Sequence, residues 1–397
     1  MLNNKQEREL AYVAAVTEIK PIPGADRVEI AKINGWTCMV GKGEFQVGDL
    51  GIFFEADSKV DPTNPAFAFM EKRHYKVKVQ KFFKGTVISD GLLLPADAFG
   101  WKKEDLVEGE FLTKKLKVTY AEEEDNKRKG NGPDKYKRMA QRHPELFKKK
   151  YIQRMYKTEI GKRILFLFFG KSAKKTQFPA WVVKTDEERI QNQLWRFSDE
   201  HKDDVFIATE KIDGTSSTFT MKRKNGFKKR EMLVCSRNVV FDSPDKQCYY
   251  ETNVYTEIAD KYQMYNQLMI LLDNYYVDAP FVTIQGEIYG AGIQKRDYGL
   301  KDHRLAIFNI IFGNPDGTTT RLNPLDMQKV CKELGLPHVP IVNKNFTVPN
   351  NCDEILQLAG GESVIDGLPR EGLVFRSYDG KDSFKAVDPN FIIKYHK

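Results

Sequence analysis

Between Ala11 and Pro95 the sequence is punctuated by chain-reversal signals: Pro23-Gly24-Ala25-Asp26, Asn34-Gly35, Gly41-Lys42-Gly43, Val47-Gly48-Asp49 and Ser89-Asp90-Gly91. Glycine and asparagine accept the backbone conformations that tight turns require, so each cluster ends whatever element precedes it. The segments Trp36–Val40, Leu50–Phe54 and Tyr75–Val79 carry the β-branched and aromatic residues of strands. Short strands separated by turns at this spacing predict a small all-β barrel. The chain has 397 residues, enough for two or three domains with a real core, so the barrel accounts for only the front of it.

The next region, Lys114 to Lys175, is the most basic part of a chain whose net charge is +8. Its densest clusters are Lys127-Arg128-Lys129, Lys148-Lys149-Lys150 and Lys174-Lys175, interleaved with Tyr136, Tyr151 and Tyr156. Such a segment suits a phosphate backbone; a solvated helix with a charged surface accounts for it as well, and Gly130-Asn131-Gly132-Pro133 predicts a loop inside it. The cysteines Cys38, Cys235, Cys248, Cys331 and Cys352 have neither metal-ligand nor paired spacing, as in reduced intracellular proteins. No apolar stretch is long enough for a bilayer and no secretory signal opens the chain, which predicts a soluble, cytoplasmic protein, in its own cell or a host's, and no membrane partner.

The chemistry is carried further on. Val205-Phe206-Ile207 reads as a strand, and Glu210-Lys211-Ile212-Asp213-Gly214-Thr215 follows it, so Lys211 emerges where strand meets turn and Gly214 permits close backbone approach to a ligand. Alone, this hexapeptide fits an ordinary surface turn equally well. Downstream stand, in order, Val234-Cys235-Ser236-Arg237-Asn238, Ile284-Gln285-Gly286-Glu287-Ile288-Tyr289-Gly290, Leu305-Ala306-Ile307-Phe308-Asn309-Ile310, Glu371-Gly372-Leu373-Val374-Phe375-Arg376 and Ser383-Phe384-Lys385. A lysine amine attacking the α-phosphorus of a nucleoside triphosphate must first lose its proton, and the phosphates must be neutralised by cations. Lys211 is the candidate nucleophile, with Lys385 and Arg237 as cations and Phe308 as a ring for the base to stack on. Asp213, Glu287 and Glu371 are candidate ligands, through water, of a hard divalent ion. Each has an ordinary alternative: Phe308 as core of a buried strand, Glu287 and Glu371 as solvated turn carboxylates.

As an ordered set, these segments resemble the motifs of the covalent nucleotidyltransferases, the superfamily of DNA ligases, RNA ligases and messenger RNA capping enzymes. The stretch Ile22–Asp57, with Lys42-Gly43-Glu44-Phe45 and Val47-Gly48-Asp49, resembles the amino-terminal oligonucleotide-binding (OB) module of the Deinococcus and Naegleria RNA ligase branch. Phe178-Pro179-Ala180-Trp181 and Thr185–Asn192 resemble a block upstream of the nucleophile in that branch. Only a dozen residues follow Lys385, which disfavours the DNA ligases and capping enzymes, whose OB barrel follows the last motif.

The resemblance implies an α+β protein: an OB-like barrel over residues 1–112, a basic connector over 113–177 and an adenylyltransferase domain with antiparallel, ATP-grasp-like sheets over 178–397. It implies an ATP-dependent RNA ligase that joins a 3′-hydroxyl to a 5′-phosphate through a lysyl-AMP intermediate, in RNA repair, using Mg²⁺ or Mn²⁺. The expected partner is RNA, as nicked duplex or broken ends, and the expected state a monomer. Lys211 and Lys385 would be catalytic; Glu210, Arg189, Arg237, Glu287, Phe308 and Lys385 would bind nucleotide; Asp213, Glu287 and Glu371 would hold the metal. The barrel would grip substrate without a part in forming the bond to Lys211. Two alternatives stand beside this reading: another lysine nucleotidyltransferase, such as a DNA ligase or capping guanylyltransferase, and a decayed, non-catalytic RNA-binding protein. The latter draws on Val387, where the family pattern has a second lysine; Lys394 is the next lysine. The motifs do not separate ATP from GTP.

Overall fold

The turn signals at the front work as expected in the computed structural model, which describes residues 8–85, 87–121, 136, 139, 144–147, 149–169, 178, 179, 181, 182, 184, 186–223, 230–241 and 253–396. The chain divides into two units, one of Met1–Arg128, Asp186–Lys211 and Pro340–Lys397, the other of Lys129–Thr185 and Ile212–Val339.

In the first unit, strands β1 (Ala11–Pro21), β2 (Val28–Ile33), β3 (Trp36–Gly41), β4 (Leu50–Glu55) and β8 (Gly91–Leu94) form a sheet in the order β3-β2-β1-β4-β8. The long β1 pairs with β4 through its first half and with β2 through its second, and a bulge between Val16 and Glu18 lets one strand serve both curved halves. The far edges meet where Asp90 N–H donates to Thr37 C=O at 2.9 Å, bringing the ends of the sheet together as a barrel. Alternation along β1 explains its apolar run: Tyr12, Ala14 and Val16 join Trp36, Phe53 and Leu93 inside, while Ala11 and Val13 join Phe67, Met70 and Val77 on the other side. Short strands β5 (Ser58–Lys59), β6 (Gln80–Phe82), β7 (Val87–Ser89) and β9 (Thr119–Tyr120) make two small ladders, β5 with β9 and β6 with β7. Tyr75–Val79, expected as a strand, makes only an isolated antiparallel bridge, Lys76 with Lys59: His74 and Tyr75 have φ of 52° and 59°, a left-handed step that keeps the segment from starting as extended chain.

The same unit holds a second sheet, ordered β10-β20-β19-β11-β18, from β10 (Glu188–Arg189), β11 (Val205–Lys211), β18 (Ile341–Thr347), β19 (Gly372–Ser377) and β20 (Ser383–Val387). β10 runs parallel to β20 and the other pairs are antiparallel. One face packs Phe206, Ala208, Leu373, Phe375, Phe384 and Ala386 against Cys352, Ile355 and Ala359 of the helix Cys352–Ala359. Burial of each phenylalanine, leucine or isoleucine among them contributes about 1.5–3 kcal/mol. That leaves the other face for polar groups.

The second unit is built on an antiparallel six-stranded sheet, β14-β13-β12-β15-β16-β17, of β12 (Thr215–Arg223), β13 (Arg230–Ser236), β14 (Val240–Phe241), β15 (Phe281–Gly290), β16 (His303–Gly313) and β17 (Thr319–Arg321). Helices Val254–Lys261 and Met264–Ile270 lie against it. Of the basic connector, Lys149, Lys150 and Tyr151 are exposed at the start of the helix Lys150–Tyr156, whereas Tyr136 is buried edge-on to Phe166. Lys127-Arg128-Lys129, Lys148 and Lys174-Lys175 lie outside the described residues. Among the described residues no helix is long and apolar enough to cross a membrane.

Candidate active site

Strand register decides which side chains of the first unit share a face. Lys211 pairs with Gly372 and Thr209 with Val374; Val374 pairs with Lys385 and Gly372 with Val387; Lys385 pairs with Arg189. Partners across a sheet, and residues two apart along a strand, project to the same side. Lys211, Lys385 and Arg189 therefore stand on one face, opposite the phenylalanine core, although up to 196 residues separate them in sequence.

The cations of this face are held by carboxylates. Lys211 Nζ donates to Glu371 Oε2 at 2.7 Å, with the glutamate side chain buried beside the first residue of β19. Lys385 Nζ donates to Asp186 Oδ1 at 2.6 Å. Burial pushes the Lys385 ammonium below the ordinary lysine range; Asp186 opposes this, while Arg8 and Arg189 add to it. Arg189 is buried, donates from Nη2 to Asp57 Oδ2 at 3.2 Å and lies over the Trp36 ring at 5.5 Å. Arg376, on the same strand face as Val374, is 1% exposed and donates to Glu187 Oε1 at 2.6 Å.

Glu210 alternates to the other side and is buried; its carboxylate accepts from Ser363 Oγ at 2.5 Å and Val364 N–H at 2.8 Å, fixing the turn after the helix Cys352–Ala359. Val387 sits in an apolar cluster with Ala56, Val79 and Ile392, and Lys394 is exposed, its ammonium over the Tyr395 ring.

The second unit carries the remaining residues. Asp213 is buried. A Cβ on Gly214 would meet Ile288 C=O at 2.3 Å and Glu287 Cγ at 2.9 Å, so this glycine permits close approach to β15. Glu287 is half-buried and pairs with Ser216 and Ala306. Gln285 pairs with Asn309 and Gly286 with Ile307, which leaves Phe308 as the extra residue of a bulge. A bulge re-aims the side chain it isolates, and Phe308 is half-buried between fully buried neighbours. Arg237 is exposed in the turn between β13 and β14.

Several partners carried no signal in the sequence. Asp186 meets a lysine 199 positions away. Arg196, 1% exposed, makes a two-pronged pair with Asp382 at 2.6 and 2.7 Å and lies over Phe384 at 4.6 Å. Asn192 accepts from Trp36 Nε1 at 2.7 Å and donates to Glu55 at 2.8 Å, joining the barrel to the second sheet of its unit. Nothing local marks such residues; only the pairing of distant strands brings them together.

Comparison with known proteins gives a consistent set of likenesses. The family model described as RNA ligase matches residues 204–396, and that of an OB-fold domain matches residues 10–96. Among solved structures, Naegleria gruberi RNA ligase with PPi is 27% identical, with 98% of this chain and 99% of that chain covered and a TM-score of 0.72. A lysine-to-methionine mutant of the same Naegleria gruberi enzyme with AMP and Mn is 28% identical, with coverage of 98% and 99% and a TM-score of 0.72. A glutamate-to-alanine mutant with ATP and Mn is 27% identical, covers 98% and 100%, and has a TM-score of 0.71. No curated protein matches the sequence.

Proposed function

Because the chain belongs to the RNA ligase family, with an OB-fold domain ahead of its ligase domain, we propose that it seals RNA ends through adenylation of Lys211. It is an ATP-dependent RNA ligase, as its likeness to ligase structures holding ATP or AMP with Mn supports. In the first step Lys211 Nζ attacks the α-phosphorus of ATP, forms a nitrogen–phosphorus bond and expels pyrophosphate. In the second the 5′-phosphate of RNA displaces the lysine and takes the AMP. In the third the 3′-hydroxyl attacks that phosphate, forms the phosphodiester and releases AMP.

The observation that carries this reading is the contact of Lys211 Nζ with buried Glu371, on a face that also presents Lys385 and Arg189. In the ion pair Nζ has no lone pair to offer, so attack requires its proton to leave. Glu371, Asp213 and Glu287 offer only oxygen donors, two of them on buried residues, which suits a hard divalent cation. When bound, such a cation supplies positive charge to phosphate oxygens and competes with the lysine for carboxylate. In this reading Lys385 meets the α-phosphate, Arg189 exchanges Asp57 for a phosphate, and Phe308 stacks on adenine. Glu210 supports the strand that delivers Lys211, and Arg237 reaches nucleotide from the exposed turn beside β13. The substrate we infer is nicked or broken RNA, gripped along its backbone by the OB-fold domain and the exposed Lys149 and Lys150, in a repair role.

Labelling by radioactive ATP tests the central claim. Lys211→Ala should take up no label and seal no ordinary substrate, yet still seal RNA that already carries a 5′-adenylate, because that step needs no lysine adduct. Label retained on Lys211→Ala would remove Lys211 from the mechanism.

A further inference from the structure

The peptides that follow Lys211 lie between two ladders. β11 ends at Lys211 and β12 begins at Thr215, so the backbone of Ile212, Asp213 and Gly214 must find its partners elsewhere. Two of them come from segment 291–302, which links β15 to β16. The Asp213 N–H donates to the Tyr298 hydroxyl at 2.8 Å, a contact buried on both sides. Gln294 Nε2 donates to the Gly214 C=O at 3.0 Å. The tyrosine and the glutamine thus hold consecutive residues of one turn from a segment some 80 residues distant.

Tyr298 is costly to place there. Its φ is 56°, a left-handed conformation that a bulky side chain rarely adopts, and such strain persists only where the surroundings enforce it. The surroundings are specific: the ring is 5% exposed, Arg296 lies over it at 4.2 Å and is itself 3% exposed, and Tyr289 meets its edge at 5.1 Å. Packing alone would be met by phenylalanine in a relaxed conformation. What the strained backbone delivers is the hydroxyl oxygen, to a backbone N–H that has no place in a strand ladder.

We propose that segment 291–302 is a clamp on the Asp213-Gly214 turn, and that Tyr298 is a positioning residue for adenylation, acting through the backbone of Asp213. The proposal rests on Lys211 being the nucleophile: a turn that drifts moves the metal-binding carboxylate of Asp213 and the strand end that presents the lysine. Geometry errors of this kind act on the rate of the bonded complex rather than on nucleotide affinity.

Two measurements on full-length Tyr298→Phe test it. Hydrogen exchange of the nucleotide-free, metal-free protein, read on peptides covering 212–215, should be about 10-fold faster than in the parent protein, because the N–H loses its acceptor. In single-turnover labelling with ATP and Mg²⁺, the rate at saturating ATP should fall about 10-fold, with the half-saturating ATP concentration and the final labelled fraction unchanged. A fall in the labelled fraction at an unchanged rate would mean a structural role only and would overturn the proposal. So would unchanged exchange, or faster exchange with an unchanged rate. If Tyr298→Phe does not fold, Gln294→Ala is read in the same two ways, and parental values in both overturn the clamp. The underlying assignment fails separately: label on Lys211→Ala removes the nucleophile, whereas normal labelling at Lys211 with an indifferent Tyr298→Phe removes only the clamp.

Discussion

By the resemblance to the nucleotidyltransferases a second lysine is expected at Val387, and the surroundings of this position favour an apolar side chain instead. It packs with Ala56, Val79 and Ile392, a setting in which an unpaired ammonium would cost several kcal/mol. The charge of this face is supplied two residues earlier, by Lys385 with Asp186, and across the parallel pair by Arg189. A second buried charge nearby sets a pH dependence. Asp90 accepts from Thr37 N–H at 2.6 Å, yet burial outweighs that bond and pushes its carboxyl up from 3.8 to about 6. Between these values the unfolded chain has lost the proton and the folded chain keeps it, so stability falls as pH rises, by about 2–3 kcal/mol in all. Asp90→Asn keeps the oxygen acceptor and never ionises. Urea unfolding from pH 4 to 7 should show it more stable than the parent at pH 7, with this pH slope removed; parallel curves for the two proteins would contradict the assignment.

At the scale of elements, the bulge in β16 matters most. A regular ladder would turn alternate residues of this apolar run into the sheet's two packed faces, and Phe308 would be core. The bulge between Gln285–Asn309 and Gly286–Ile307 takes it out of that alternation. Stacking of a base on an aromatic ring contributes about 1–3 kcal/mol. Phe308→Ala should therefore raise the half-saturating ATP concentration for adenylation about 10-fold, while the thermal midpoint moves by only a few degrees because the residue is incompletely buried. A large drop in midpoint with unchanged ATP dependence would return Phe308 to the core.

For the molecule as a whole, the front barrel is part of the unit that carries Lys211, not an appendage to it. Ala56 and Val79 cover Val387 and Ile392, Gly35 N–H donates to Gln191 C=O, Lys32 pairs with Asp353 at 2.7 Å, and Arg189 rests between Asp57 and Trp36. These contacts give the barrel a structural role beside the substrate-gripping one we propose for it. Removing residues 1–112 returns those aliphatic side chains to water at about 1.5–3 kcal/mol each, and leaves Arg189 and Asn192 without their barrel partners. The truncated chain should unfold at lower temperature, adenylate more slowly than the full chain, and seal nicked RNA at least about 10-fold less well, with a shallower dependence on salt as phosphate contacts are lost. Equal midpoint, labelling and sealing at matched salt would show that these contacts serve neither stability nor catalysis.

What the sequence determined by itself is what depends on local pattern. Turn residues and alternating strands specified the barrel, because φ preference and a two-residue period act within a few positions. The hexapeptide Glu210–Thr215 put Lys211 at a strand end for the same reason, and the ordered segments downstream carried the family resemblance. Local pattern also misled at Tyr75–Val79, which opens on a left-handed step at His74 and Tyr75 that no propensity announces. The tertiary structure alone decided the partners. It paired Lys211 with Glu371, Lys385 with Asp186 and Arg189 with Asp57, each across 132 residues or more. It also set Tyr298 on the Asp213 amide. Side-chain contacts of that separation follow from strand order and register, and those are fixed by the packing of the whole sheet rather than by any stretch of it.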